Sequence, residues 1–167
     1  MLRTYHQQSL AFELLKRNAR IKIIHTETGL PIQFLRDAYQ QFHGHSASCG
    51  GMKESTNGLT RNIKTYKEAI LFAGCFWVAI SKMECIDIKK VIIAFDTFKK
   101  LHPNSQLDFS GAWVIAQDLK NRKVEITTCH HCKSTVLLHA RTNKFERCVV
   151  CNTSLKDKLS RVAEFEP

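Results

Sequence analysis

Over the first two-thirds of the chain, hydrophobic residues recur at intervals of three and four positions, the period of an amphipathic α-helix. The pattern predicts one helix over residues 9–25 and a second over residues 32–42. Between them, Gly29 suits the left-handed conformation that ends a helix, and Pro31 suits the first position of the next one. Phe42 falls on the apolar side of the second helix. The chain therefore begins with a predicted helix–turn–helix arrangement.

Three further helices are predicted after a polar loop over residues 43–62, which is rich in Gly, Ser, Thr and Asn. They span residues 64–83, 87–101 and 109–120. Their aromatic side chains have helical spacing and apolar neighbours, so we predict that they form the core rather than a platform for stacking bases. This aromatic set comprises Phe72, Phe76, Trp77, Phe95, Phe98, Phe109 and Trp113.

The hydrophobic period changes from helical to alternating near the C-terminal end, which is typical of β-strands. Strands are predicted over residues 124–128 and 135–139, with a turn at residues 141–144. Beyond them, residues 153–167 are expected to be a short tail, either helical or frayed. The predicted fold class is mainly α, in which a helical body is followed by a small C-terminal β-type module.

The predicted domains are a helical domain over residues 1–121 and a metal-binding module over residues 122–152. No apolar run approaches the ~18 residues of a membrane-spanning helix, so no membrane association is expected. The first six residues lack the apolar segment of a secretory signal. There is no glycine-rich phosphate loop and no G-x-S-x-G motif, so we predict that the protein is not an enzyme.

Four cysteines form two close pairs, Cys129 with Cys132 and Cys148 with Cys151, and fifteen residues separate the pairs. Two residues between thiolates allow both to reach one ion from a tight turn, and a hairpin can bring two such turns together around a tetrahedral Zn2+. Four thiolates complete the coordination and leave no position for water. We therefore predict one structural zinc ion with these four ligands.

Two other chemistries stay open for the paired cysteines, a redox pair and an iron centre. Four-thiolate sites also select iron, but rubredoxin-like iron sites usually carry glycine after the second cysteine, where this chain has Lys133 and Asn152. The remaining cysteines are Cys49, Cys75 and Cys85. Cys75 lies in an apolar run and is predicted to be buried, and a reducing, cytoplasmic location is the simplest interpretation of the cysteine content.

The formal net charge of +10 is concentrated around the cysteine pairs. Residues 120–161 contain ten Lys and Arg against three acidic residues, a net charge of +7. A basic surface on a rigid metal module favours binding to the phosphate groups of a polyanion. The residues predicted to make these contacts are Lys120, Arg122, Lys123, Lys133, Arg141, Lys144 and Arg147.

The predicted helix–turn–helix at residues 19–43 is a second candidate for DNA contact. Gln33, Arg36 and Gln40 would face outward on its second helix and could reach base edges. His25 is bulky where such motifs usually have a small residue. The alternative, two packed helices of a bundle without a role in DNA binding, stays open.

The order of these motifs resembles the FlhC family, a subunit of the bacterial flagellar master transcriptional regulator. The resemblance covers residues 8–152 and is strengthened by the cysteine spacing. The segments that carry it are Glu13-Leu14-Leu15, Asn18-Ala19-Arg20, Glu27-Thr28, Leu35, Tyr39, Gly44, Phe76-Trp77, Ala112-Trp113, Thr128-Cys129-x-x-Cys132, His139-Ala140, Phe145 and Cys148-x-x-Cys151.

This resemblance implies a mostly helical subunit with a C-terminal four-cysteine zinc site. It implies a heterohexamer in which two copies of this chain join four copies of the small helical subunit FlhD, bind promoter DNA and activate flagellar genes through RNA polymerase. Two features depart from the family pattern: residues 46–51 replace a Pro-rich stretch, and the chain ends with Glu164 and Glu166 instead of a basic tail. The DNA affinity or the controlled genes are therefore expected to differ.

A hypothesis from another functional class uses the same cysteines and charge. In it, the chain is a zinc-ribbon adaptor that binds protein or RNA and has no specificity for duplex DNA. Competition between duplex DNA and single-stranded RNA distinguishes the two hypotheses.

Overall fold

The computed structural model describes residues 2–48, 50–51, 55–59, 62–81, 87–139 and 147–155. Within them it contains six α-helices: α1 (Leu2–Lys16), α2 (Ile21–Thr28), α3 (Ile32–His43), α4 (Ile63–Ser81), α5 (Ile88–Leu101) and α6 (Phe109–Lys120). A 3-10 turn covers Thr56–Gly58, and the antiparallel strands β1 (Val124–Thr128) and β2 (Thr135–His139) form one sheet. This confirms the mainly α fold class with a small β-type module. In the part of the chain that is described, no helix is both long and apolar enough to cross a membrane.

The prediction of one helix over residues 9–25 is wrong, because the chain breaks between α1 and α2. Asn18 adopts a left-handed backbone conformation with φ of 54°, which asparagine tolerates better than most residues. The N–H of Ala19 then donates to the carbonyl of Leu14 at 3.1 Å. Leu14, Ala19 and Ile23 are all fully buried, so the apolar stripe continues across the break. Periodicity alone therefore did not reveal it.

The turn between α2 and α3 follows the prediction closely. Gly29 ends α2 with φ of 71°, and its N–H donates to the carbonyl of His25 at 2.8 Å. Helix α3 begins at Ile32, as predicted, and Pro31 is the residue directly before it rather than its first helical residue. His25 Nδ1 lies 2.7 Å from the carbonyl oxygen of Leu30, so the bulky ring is part of the turn.

The main core lies where α4, α5 and α6 pack together. Most of the aromatic set is buried there, as predicted, although Trp77 is 62% exposed and Phe42 of α3 is also exposed. Trp113 is partly buried, and its Nε1 donates to Glu27 at 2.7 Å, which links α6 to α2. The buried aromatic residues are Phe72, Phe76, Phe95, Phe98 and Phe109.

The β-hairpin contributes to two separate clusters. Its register pairs Val124 with His139 and Thr128 with Thr135. Val124 and Leu137 belong to the core of the helical body. A second, smaller buried cluster consists of Val136, Cys129, Cys148 and Leu155. One face of the hairpin therefore packs on the helices and the other supports the cysteines, while the proposed boundary at residue 121 stays a prediction.

Tyr66 of α4 fastens the hairpin to the helical body. Its hydroxyl donates to the carbonyl of Leu137 at 2.8 Å and accepts the N–H of the same residue at 3.2 Å. Burial of the ring raises the pKa of Tyr66 to about 12. Within the described residues β2 pairs only with β1. The tyrosine hydroxyl therefore takes the place of a third strand as the hydrogen-bond partner of the Leu137 N–H and carbonyl.

We expect Tyr66→Phe to lower the free energy of unfolding by about 1–3 kcal/mol, because two buried backbone groups of Leu137 lose their partner. Urea denaturation followed by circular dichroism measures this change. Tyr5→Phe is the matched control, since Tyr5 is 67% exposed and should leave the free energy unchanged. Equal midpoints for the two variants would contradict the fastening role of Tyr66.

Several predictions concern residues outside the described part of the chain. They are the turn at 141–144, the tail beyond residue 155, Cys49, Cys85, Arg141 and Lys144.

Candidate metal centre and basic surface

The first cysteine pair occupies a tight turn between the two strands. The N–H of Cys129 donates to the carbonyl of Ser134 at 2.8 Å, and the N–H of Lys133 donates to the carbonyl of Cys129 at 3.0 Å. Lys133, directly after Cys132, adopts a left-handed conformation with φ of 59°. These bonds fold the segment so that both thiols of the pair point to the same side.

The second pair repeats this turn in detail. The N–H of Cys148 donates to the carbonyl of Thr153, and the N–H of Asn152 donates to the carbonyl of Cys148, both at 2.8 Å. Asn152, directly after Cys151, has φ of 60°. The two turns are therefore related by an approximate internal symmetry that includes the residue two positions after the second cysteine.

The two turns bring all four thiols together. The four Sγ atoms lie within 4.8 Å of one another, with Cys129 to Cys151 and Cys132 to Cys148 both at 3.6 Å. A tetrahedral ion with Zn–S distances near 2.3 Å requires sulfur atoms about 3.8 Å apart. The donor set and its spacing therefore fit a four-coordinate metal ion, as the sequence predicts. Cys129 and Cys148 are buried, whereas the other two are partly exposed.

Local hydrogen bonding prepares at least one of these thiols for metal binding. The hydroxyl and the backbone of Thr153 lower the pKa of Cys151 to about 5. A thiol with such a pKa is deprotonated at neutral pH, and the thiolate is the form that ligates a metal.

The left-handed residues change one argument made from the sequence. In the sequence, the absence of glycine after each second cysteine disfavours iron, yet Lys133 and Asn152 adopt the conformation that glycine usually supplies. The residue type at these positions therefore does not distinguish zinc from iron. The geometry shows four cysteines close enough together to bind one metal ion, and it does not select between these two metals.

Of the described residues predicted to bind phosphate, Lys133 and Arg147 adjoin the cysteine turns, whereas the other three lie at the opposite end of β1. Lys120 and the turn residues Arg122 and Lys123 connect α6 to β1. Lys123 Nζ lies 3.9 Å from Asp118, a distant ion pair for an exposed side chain. Five predicted contacts are exposed: Lys120, Arg122, Lys123, Lys133 and Arg147.

The three residues predicted to read base edges are also exposed and share one concave surface. This polar cleft between α2 and α3 has a volume of about 720 Å3. Its charged residues are mostly basic, and Asp37 is hydrogen-bonded to Gln33 at 2.9 Å. The cleft is lined by residues that include Arg20, Lys22, Gln33, Arg36, Asp37 and Gln40.

Two features of the surface were not found from the sequence. The hydroxyls of Ser134 and Thr153 contact the thiols, and the signal for them in the sequence was a hydroxyl residue at the same position after each cysteine pair.

An apolar groove of about 820 Å3 lies between α4, α5 and the cysteine turns. Cys75 lines this groove and is partly rather than fully buried. Burial nevertheless raises the pKa of its thiol.

Fold and site together define a mainly helical protein with a C-terminal four-cysteine metal-binding module and a basic surface. The family model for the flagellar transcriptional activator FlhC matches residues 1–163. The chain belongs to the FlhC family of flagellar transcriptional regulators, which confirms the resemblance seen in the sequence.

Two relatives are similar at low identity. The flagellar transcriptional regulator FlhC of Cupriavidus necator is 22% identical over 144 residues, covering 84% of this chain and 70% of the relative. The protein of the same name from Pectobacterium carotovorum is 24% identical over 152 residues, covering 85% of this chain and 76% of the relative.

Proposed function

We propose that this chain is the zinc-containing, DNA-binding subunit of a transcriptional activator at flagellar or related promoters. It acts in the cytoplasm and catalyses no reaction. Membership in a family of transcriptional regulators supports the regulatory role. The observation that carries DNA contact is a set of five exposed basic side chains in and next to the C-terminal module. Lys133 and Arg147 adjoin the cysteine turns, and Lys120, Arg122 and Lys123 lie at the opposite end of the hairpin.

The zinc ion in this proposal has a structural role. Cys129, Cys132, Cys148 and Cys151 would hold it, and a closed four-thiolate ion stabilises small modules without offering a position for substrate. The cysteine turns keep Lys133 at a fixed place, and the bridge between Arg147 and Ser154 orders the second turn. Basic side chains on such a rigid base can contact phosphates at a defined register.

Sequence selection requires contacts other than those to phosphates. The cleft of α2 and α3 offers Gln33, Arg36 and Gln40, whose side chains suit adenine and guanine edges in the major groove. In this account, the metal module supplies affinity and α3 supplies discrimination among bases.

Exposed apolar side chains support a protein partner. Phe12 and Phe42 are both more than 40% exposed and contact each other edge to face at 5.2 Å. Leu101 and Val150 beside the apolar groove are more than 60% exposed. Apolar surface of this kind marks interaction sites. It is consistent with a heterohexamer of two copies of this chain and four of an FlhD-like helical subunit, and with contact to RNA polymerase.

Neutralising single basic residues tests the proposal. We expect Lys133→Gln or Arg147→Gln, in complex with the partner, to reduce the slope of log affinity against log salt by about one unit, since each contact releases one counterion. Fluorescence anisotropy with duplex promoter DNA measures the slope. Lys89→Gln is the control, because Lys89 is exposed on α5. If all seven predicted phosphate contacts, Arg141 and Lys144 included, leave the slope unchanged, the basic platform is excluded.

A further inference from the structure

The four cysteines of the metal centre differ in the groups that donate to them. The first cysteine of each turn is buried and accepts backbone N–H groups. Cys129 accepts from His131 and from Cys132, and Cys148 accepts the N–H of Val150 at 3.5 Å. Because these donors belong to the backbone, they are present with any side chain at those positions.

The second cysteine of each turn is partly exposed and lies against a side-chain hydroxyl. Ser134 Oγ is 2.9 Å from Cys132 Sγ and 3.3 Å from Cys148 Sγ. The thiol of Cys151 donates to Thr153 Oγ1 at 3.2 Å. Once Cys151 is a thiolate, it can only accept, so the hydroxyl becomes the donor of this contact. Each hydroxyl stands two positions after the second cysteine of its own turn and contacts that cysteine. The same arrangement thus occurs twice, in turns that share their backbone hydrogen bonds.

We propose that Ser134 and Thr153 are positioning residues that donate hydrogen bonds to the metal-bound thiolates of Cys132 and Cys151, and that they determine how tightly the module holds its ion. This inference rests on the proposed metal centre. Four thiolates around a divalent ion leave an excess of negative charge. The solvent-facing thiolates carry this charge where water, oxidants and electrophiles reach them. A donated O–H bond withdraws charge from the sulfur and fixes its orientation.

The two hydroxyls are not equivalent. Ser134 lies within reach of one thiol from each turn, so it connects the two turns across the centre. A hydroxyl carries one proton and donates to one sulfur at a time, and the shorter distance favours Cys132. Among the thiols of the described residues, the Thr153 hydroxyl contacts only that of Cys151. Loss of the Ser134 hydroxyl should therefore weaken metal binding more than loss of the Thr153 hydroxyl.

The test uses the full chain loaded with Co2+, whose absorption reports the ligands directly. Wild type, Ser134→Ala and Thr153→Val are compared with Ser134→Thr and Thr153→Ser, which keep a hydroxyl. Thr128→Val is the matched control, because Thr128 is exposed beside Cys129 and has no hydrogen bond to a thiol among the described residues. Two quantities are measured: the energy of the sulfur-to-cobalt charge-transfer band, and the metal affinity by competition with a chelator.

We expect Ser134→Ala to shift the charge-transfer band to lower energy, because an unbonded thiolate is easier to oxidise, and to weaken metal affinity about tenfold. Thr153→Val should shift the band less, and both hydroxyl-retaining variants should restore the wild-type band. A band in Ser134→Ala and Thr153→Val equal to that of Thr128→Val overturns the inference, even if stability changes. A wild-type protein without a four-thiolate cobalt spectrum instead overturns the proposed metal centre.

Discussion

Cys148→Ser is expected to abolish stoichiometric metal binding and to unfold the module around the β-hairpin. Cys148 is 2% exposed, and its Sγ lies 3.6 Å from that of Cys132. Among the described residues, the buried cluster of the module contains only Val136 and Leu155 apart from cysteines. A core of this size cannot maintain the fold without the ion, and structural zinc contributes about 10–16 kcal/mol in isolated zinc modules. The loss in the free energy of unfolding of the module should therefore be far larger than for an ordinary core substitution.

Native mass spectrometry and thermal unfolding measure this result. The matched control is Cys75→Ser, which removes a partly buried thiol outside the cluster. The control should retain one metal ion per chain, whereas Cys148→Ser should retain none and lose the unfolding transition of the module. One bound ion and an unchanged midpoint in Cys148→Ser would show that the four cysteines do not form a single site.

The second large effect is expected at Asp118 of α6. This carboxylate is 4% exposed, and its Oδ2 accepts both the N–H and the hydroxyl of Thr56 at 2.7 Å. The two bonds hold the 3-10 turn against the helix that leads into β1. Asp118→Ala removes both acceptor contacts, and we expect a loss of about 2–4 kcal/mol in the free energy of unfolding.

Urea denaturation measures this loss, and amide hydrogen exchange locates it. Protection should decrease first at residues 55–59 and in α6. Asp87→Ala serves as the control, because Asp87 precedes α5 with an exposed side chain that makes no capping hydrogen bond. A change no larger than that of the control would mean that the Thr56 contacts do not contribute to stability.

The parts of the fold that were predicted correctly depend on local signals. The bounds of α6, β1 and β2 agree with the sequence, because periodicity changes within a few residues at each of them. Gly29 was recognised as the end of α2 because the left-handed conformation there requires only the backbone freedom of glycine, which the residue type reveals directly. The grouping of the four cysteines agrees with the prediction, because the spacing within each cysteine pair determines the shape of its turn.

The parts that were missed depend on contacts between distant residues or on one backbone angle. Tyr66 and Leu137 are 71 positions apart, and no pattern along the chain indicates their pairing. Asn18 interrupts the first predicted helix through a single left-handed residue. Trp77 and Val78 are exposed although Phe76 of the same helix is buried, because hydrophobicity does not determine which side of an apolar helix packs inward.

We propose that a module stabilised by a metal ion allows this chain to bind duplex DNA. The direct measurement is the binding of the metal-loaded chain, in complex with its helical partner, to labelled duplex promoter DNA with unlabelled duplex or single-stranded RNA as competitor. We expect tight binding of the labelled DNA. Unlabelled duplex should displace the labelled DNA, whereas single-stranded RNA should not. The Cys148→Ser substitution should abolish the binding. Equal displacement by RNA, or binding unaffected by that substitution, would contradict this proposal and favour the zinc-ribbon adaptor.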